Sequence, residues 1–243
     1  MATSSLISIP LILSAAALQH KAWTAPNGLL TTPQGDYSAG FVEKTLFRNL
    51  TFVTLGQKAI AWLVGGAEIA GILAKSLSSW GYSPGILKYL IPSGDYSKLG
   101  DSELDPWFFV GVGLVIAGAA LRLFCFRTLG RMFSFEVSIQ KDHKLVTSGP
   151  YSVVRHPSYS GGLLIYVGLL IWQSGPSSMT RQSEILNYWG GKALLYVCIM
   201  WMATTVFGGV HRLDKEDELL RKEFGDQWTQ WASQTKRFIP WVY

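Results

Sequence analysis

The chain has 243 residues, of which 49% are hydrophobic and only 15% are charged, whereas about 25% of the residues in a soluble domain are charged. This shortage of charge predicts a membrane protein, and ten Trp and ten Tyr fit because their rings collect at bilayer interfaces. The net charge of +5 does not indicate a nucleic-acid partner, since Lys and Arg lie between apolar runs rather than along one solvated face. Cys125 and Cys198 both fall inside apolar runs, which argues against a secreted disulfide framework.

After a first apolar segment near the N-terminus, four further segments approach or reach the roughly 20 residues that a spanning helix needs. The first segment resembles a signal peptide, but no basic residue precedes it and no clear soluble domain follows it, so we interpret it as a membrane helix. We therefore predict an all-α integral membrane protein with about five transmembrane helices. The segments cover about 6–18, 52–74, 106–126, 159–174 and 188–210.

Basic residues are concentrated in two connections, 127–158 and 211–237. By contrast, the connection 175–187 contains only Arg181, and Lys and Arg in 76–105 are outnumbered by acidic residues. Because cytoplasmic flanks carry the excess of Lys and Arg, both basic segments are expected on the cytosolic side. Five spans then place the N-terminus in the lumen.

Three charged residues, Lys58, Glu68 and Arg122, lie within or near the predicted spans. Ionisable groups in a span are functional candidates, but Arg122 is near enough to a helix end for its side chain to snorkel to the interface. Lys58 and Glu68 are ten residues apart, roughly 15 Å along a helix, so they do not form a local ion pair. Their roles stay open at this stage.

The densest polar sequence lies between His143 and Gly161. Ser148-Gly149-Pro150 predicts a turn, and Pro157 suits the first position of a helix that continues into the fourth span. A helix start has unpaired N–H groups and a partial positive charge, which suits a ligand carboxylate or hydroxyl. The alternative is that His156 and Tyr159 are interfacial anchors and that the glycines only permit close helix packing.

A second polar cluster follows the last span, from His211 to Trp228. Arg212 and Glu216 are four residues apart and share a helix face, a spacing that alone is typical of a solvated salt bridge. Both residues stand where the helix leaves the membrane, on the same side as the His156 loop. This common location favours a shared site over an isolated surface pair.

These two clusters resemble the isoprenylcysteine carboxyl methyltransferase family. The matching run is His-x-Leu-Val-Thr-Ser-Gly-x-Tyr-x-x-x-Arg-His-Pro-Ser-Tyr-x-Gly, from His143 to Gly161. The resemblance covers about the last 120 residues, whereas the earlier spans match only as generic apolar segments. We therefore divide the chain into an N-terminal region of spans and loops, 1–126, and a cofactor-binding and catalytic region, 127–243. The C-terminal part of the pattern is Arg212, Glu216, Phe224-Gly225, Trp228 and Ile239-Pro240.

The resemblance implies methyl transfer from S-adenosylmethionine to the carboxylate of a prenylated cysteine, in a protein or a small molecule. It also implies a multi-pass protein of the endoplasmic reticulum that contacts membrane lipid. The cofactor pocket would face the cytosol and be formed by the 127–158 loop and the C-terminal helix, with no metal. Arg212 matches the arginine assigned to substrate and catalysis. The implied cofactor contacts are His143, Lys144, Leu145, Val146, Tyr151, His156, Pro157, Ser158, Tyr159 and Glu216.

One departure from the family is that the connection from Phe133 to His143 is shorter than in the animal enzymes, so the polar cofactor contact expected there is not carried over, and Gln140 is only a candidate. Four other functions stay open. A phospholipid N-methyltransferase would share the Arg-His-Pro-x-Tyr-x-Gly element, and a sterol reductase resembles this loop but needs a basic cluster for NADPH. The third is a methyltransferase of another lipophilic acid, and the fourth is a catalytically silent membrane scaffold.

Overall fold

The computed structural model describes residues 6–28, 50–76, 91, 105–135, 139 and 142–238. Within these residues there is no β-strand, and the only bridge pairs Val154 with Lys236, so the all-α prediction is confirmed for the described part. Short 3-10 turns occupy Gly130–Met132, Gly149–Ser152 and Ile185–Asn187. The α-helices are α1 (Ser8–Ala22), α2 (Leu50–Ser76), α3 (Pro106–Leu129), α4 (Pro157–Ser174), α5 (Met179–Gln182), α6 (Trp189–Phe224) and α7 (Asp226–Gln234).

Each of the five predicted apolar segments lies on a helix, namely α1, α2, α3, α4 and α6. Three of these, α2, α3 and α6, are long and apolar enough to cross a bilayer. Helices of this length and hydrophobicity are typical of an integral membrane protein, which agrees with the prediction from the sequence. The count of five spans stays a prediction.

Helices α3 and α4 pack closely in antiparallel directions through two pairs of glycines. A Cβ atom on Gly118 would lie 2.5 Å from the carbonyl oxygen of Gly161, and one on Gly111 would lie 2.7 Å from that of Gly168. The glycines on each helix are seven residues apart, so they share one face. Gly161, which belongs to the polar motif, therefore serves helix packing, and this contact fixes where α4 begins relative to α3.

Helix α6 is continuous from Trp189 to Phe224. Thirty-six residues at the helical rise extend about 54 Å, well beyond a hydrocarbon core of about 30 Å. The last membrane segment and the polar cluster around Arg212 and Glu216 thus form one rigid element. The site residues of this cluster are held on a helix rather than on a loop.

Two carboxylates anchor the far end of α4, opposite His156. Glu68, buried on α2, accepts hydrogen bonds through Oε1 from the Gln173 side chain and from the Met179 backbone N–H, each at 3.0 Å. Asp105 caps α3 by accepting from the Phe108 N–H through Oδ1 at 2.8 Å, and its Oδ2 accepts from the Ser177 N–H just after α4 at 3.0 Å. These contacts give Glu68 a structural role, which the sequence left open.

Candidate active site

The loop before α4 pairs with the C-terminal tail. The backbone N–H of Arg155 donates to the carbonyl of Lys236 at 2.8 Å, and that of His156 donates to the carbonyl of Arg237 at 3.0 Å. Pro157 then takes the first position of α4, where its missing N–H is not needed. The two polar clusters of the sequence are thereby brought together.

Asp217 lies at the centre of the charges that join α4, α6 and the tail. Its Oδ1 is 2.9 Å from His156 Nε2, and its Oδ2 is 3.1 Å from Arg237 Nε and 3.5 Å from Arg155 Nη2. The His156 ring is 4% exposed, so this contact fixes its orientation. One carboxylate therefore connects the loop, α6 and the tail.

Glu216, the neighbour of Asp217, turns toward α4. The Tyr159 hydroxyl donates to Glu216 Oε2 at 3.0 Å, and His156 Nδ1 lies 3.7 Å from the same oxygen. The Tyr159 ring fits against α6 at Gly209, where an added Cβ would lie 3.2 Å from the ring. The carboxylate is a third exposed, so it remains accessible to a ligand.

Arg212 lies on α6 one turn before Glu216 and is 8% exposed. Its Nη2 donates to the carbonyl oxygen of Phe135. Among the described residues Arg212 and Glu216 do not form a salt bridge with each other. The solvated surface pair that the spacing allowed is therefore not the arrangement found.

Arg122 points into the bundle instead of extending to the end of α3. Its Nε donates to the Ala22 carbonyl at 3.0 Å, and its Nη1 donates to the Ser158 carbonyl at 3.0 Å and to the Ser158 Oγ at 3.2 Å. The guanidinium carbon lies 4.4 Å from the centre of the Trp23 ring. The snorkelling interpretation of Arg122 is wrong.

A cavity lies where these groups meet. Its wall continues from the polar cluster to apolar side chains of α2 and α6, including Val53 and Val206. Pro157 is not on the wall; it is buried at the start of α4. The predicted site residues on the wall are His143, Lys144, Leu145, Val146, Tyr151, His156, Ser158, Tyr159, Arg212 and Glu216.

Burial affects two titratable groups of the loop. It lowers the pKa of His143, so this imidazole is neutral at neutral pH. It also raises the pKa of Tyr151, whose phenol therefore stays protonated. The loop presents hydrogen-bonding groups to the cavity without adding charge at these two positions.

Sequence reasoning missed three groups of this site. Asp217 was hidden in an acidic run, Arg122 was interpreted as an interfacial charge, and Trp231 gave no signal apart from lying in an amphipathic segment. Trp231 lines the cavity and donates through Nε1 to the Tyr151 carbonyl at 3.2 Å. Gln140 and Ile239-Pro240 lie outside the described residues.

In the described part of the chain, the fold and the site define a class: a helical membrane protein in which a cavity with polar and apolar walls lies between the start of α4 and the C-terminal half of α6. Residues 111–190 match the sequence profile of the isoprenylcysteine carboxyl methyltransferase (ICMT) family. The match confirms the predicted resemblance to this family over that part of the chain. No solved structure matches the chain.

Two relatives show the extent of the similarity. The chain is 30% identical over 134 residues to protein-S-isoprenylcysteine O-methyltransferase B of Arabidopsis thaliana, which covers 54% of this chain and 58% of that protein. It is 30% identical over 171 residues to protein-S-isoprenylcysteine O-methyltransferase of Schizosaccharomyces pombe, which covers 65% and 64%. The chain thus matches less than two thirds of the length of these relatives.

Proposed function

We propose that this protein transfers a methyl group from S-adenosylmethionine to the C-terminal carboxylate of an S-prenylated cysteine, forming a methyl ester. The acceptor would be a prenylated protein or a small prenylcysteine. The observation that carries the proposal is the cavity itself, whose lining combines Tyr159, Glu216 and Arg212 with apolar side chains of α2 and α6. A charged acceptor with a hydrocarbon chain needs both surfaces.

The residues present suit the methyl donor. Glu216 offers a carboxylate to a hydroxyl or ammonium group, and Tyr159 orients it. Leu145, Val146 and Trp231 give the cavity apolar surface, which suits a purine ring. When bound, the donor supplies an electrophilic methyl group on a sulfonium.

The acceptor needs placement rather than activation. An α-carboxylate has a pKa of about 3.5, so it is ionised at neutral pH and no general base is required. Arg212 would hold the carboxylate, because a guanidinium binds two oxygens in one plane and keeps its charge. The hydrogen bond from Arg212 Nη2 to the Phe135 carbonyl fixes the direction of the side chain. Correct alignment of the carboxylate can supply most of the reduction in the barrier.

The prenyl chain would lie along the apolar wall, reaching it from membrane lipid between α2 and α6. Leu50 and Val53 on α2 and Val206 and Val210 on α6 all line the cavity. Burial of hydrocarbon contributes roughly 0.8 kcal/mol per CH₂, which favours a membrane-bound site over a soluble cleft. We further propose that the cavity faces the cytosol in the endoplasmic reticulum, in a protein with five spans whose methyltransferase region is 127–243.

The test is an assay of purified protein with labelled S-adenosylmethionine and three kinds of acceptor. These are N-acetyl-prenylcysteines, phosphatidylethanolamine and unprenylated acids. Base-labile label on the prenylcysteines alone is the expected result. Label on the amine would favour a phospholipid N-methyltransferase, and absence of donor binding would favour a scaffold.

A further inference from the structure

The guanidinium of Arg122 is a buried cation on the wall of the cavity. Arg122 is 6% exposed, and its side chain reaches across from α3 to the end of α1 and the first turn of α4. Nε and Nη1 make all of its hydrogen bonds, while Nη2 makes none in the described part of the chain. Arg122 lines the cavity, so the Nη2 end of its planar guanidinium keeps N–H donors for a ligand.

No acidic side chain among the described residues pairs with this charge. Its hydrogen bonds go to the Ala22 and Ser158 carbonyls and the Ser158 hydroxyl, and Arg122 forms no salt bridge among the described residues. The Trp23 ring offsets part of the cost of burial by a cation–π contact. A buried cation is nevertheless normally compensated by an anion, so an anionic ligand would complete the site.

The proposed reaction brings two carboxylates into the cavity, one on the amino-acid part of the methyl donor and one on the acceptor. Arg212 is assigned to the acceptor, and Arg122 donates to Ser158 in the first turn of α4, a residue that the family resemblance assigns to the donor. We propose that Arg122 binds a ligand carboxylate through Nη2, and that this carboxylate belongs to the methyl donor. This inference rests on the proposed function.

The experiment removes the carboxylate from the ligand and the guanidinium from the protein in one thermodynamic cycle. Affinities are measured by calorimetry on detergent-purified protein for S-adenosylhomocysteine and for its carboxamide, which has nearly the same size but no charge. N-acetyl-S-farnesylcysteine and its carboxamide form the acceptor arm. The proteins are wild type, Arg122→Gln, Arg122→Lys and, as matched control, Arg127→Gln, which removes an exposed charge from the end of α3.

Wild type should bind S-adenosylhomocysteine roughly tenfold to a hundredfold more tightly than its carboxamide, as expected for a hydrogen bond between charged groups. In Arg122→Gln this preference should fall to near unity, whereas Arg127→Gln should keep it. Arg122→Lys should keep part of it, since it retains charge but loses the planar fork. If Arg122→Gln instead loses the preference for N-acetyl-S-farnesylcysteine over its carboxamide, the result would support a carboxylate site at Arg122 that binds the acceptor rather than the donor.

Equal affinity of wild type for the acid and the carboxamide in both arms overturns the proposal without any variant, so it stays testable if Arg122→Gln does not fold. If folded Arg122→Gln still prefers the acid to the carboxamide as strongly as wild type does, the proposal is also overturned. Arg122 would then have only a structural role, in which it links α3 to α1 and α4. Failure of wild type to bind S-adenosylhomocysteine at all would instead overturn the proposed function.

Discussion

His156 Nε2 lies 2.9 Å from Asp217 Oδ1, which joins the start of α4 to the end of α6. The same carboxylate also faces Arg155 and Arg237. The bond therefore orients the imidazole while the arginines balance the charge. Asp217 acts on the site through His156 and through the tail.

Replacing Asp217 by Ala should destabilise the protein. Removing one partner from a buried charge cluster costs about 3–5 kcal/mol, and Asp217 is 9% exposed. Thermal unfolding in detergent measures the change. Asp214→Ala is the matched control: Asp214 also pairs with Arg237, but its side chain is 72% exposed, so its loss should cost only about 0–1 kcal/mol. Equal melting temperatures for the two variants would show that the cluster is not a structural centre.

Tyr159→Phe tests the contact between Tyr159 and Glu216. The ring and its packing against Gly209 are retained, and only the hydroxyl that donates to Glu216 is lost. S-Adenosylmethionine affinity should fall roughly tenfold, since a hydrogen bond to a charged group contributes about 1.5–3 kcal/mol. Tyr196→Phe, on the exposed face of α6, should bind normally. Unchanged affinity in Tyr159→Phe would restore the interpretation of Tyr159 as an interfacial anchor.

Most of the helices and the meeting of the two polar clusters could be predicted from the sequence. Long apolar runs predict helices α1, α2, α3, α4 and α6, and the helix start at Pro157 follows from the residue itself. The pairing of Arg155 and His156 with the tail could not be predicted, because a single bridge has no periodic pattern. The direction of the Arg122 side chain could not be predicted either, because an arginine near a helix end can extend to the interface or turn inward. Only its contacts with Trp23 and Ser158 show that it turns inward.

Gly118→Ala should weaken the packing of α3 on α4. The added Cβ would lie 2.5 Å from the backbone carbonyl oxygen of Gly161, and such overpacking typically costs about 1–3 kcal/mol. Gly113→Ala is the control on the same helix, because no atom lies within 4 Å of the Cβ position, and Ala favours a helix by about 1 kcal/mol. The melting temperatures should move in opposite directions, and a shared increase would contradict the close contact.

The proposed orientation can be tested with engineered glycosylation acceptors. With the basic segments 127–158 and 211–237 in the cytosol, an acceptor introduced near residue 180 should be modified and one near residue 140 should not. A mobility shift that glycosidase reverses measures modification. The opposite pattern would place the cavity in the lumen and contradict a cytosolic active site.

Arg212→Lys tests whether Arg212 holds the acceptor. An ammonium keeps the charge but loses the planar fork, so turnover should fall steeply, by roughly a hundredfold if alignment of the carboxylate is lost. S-Adenosylmethionine affinity should change little, because the lost contact is with the acceptor. Arg221→Lys, an exposed position farther along α6, should retain both properties. Turnover and donor affinity are measured separately, and near-normal turnover in folded Arg212→Lys would mean that the carboxylate is held by another group and that Arg212 mainly fixes the Phe135 carbonyl.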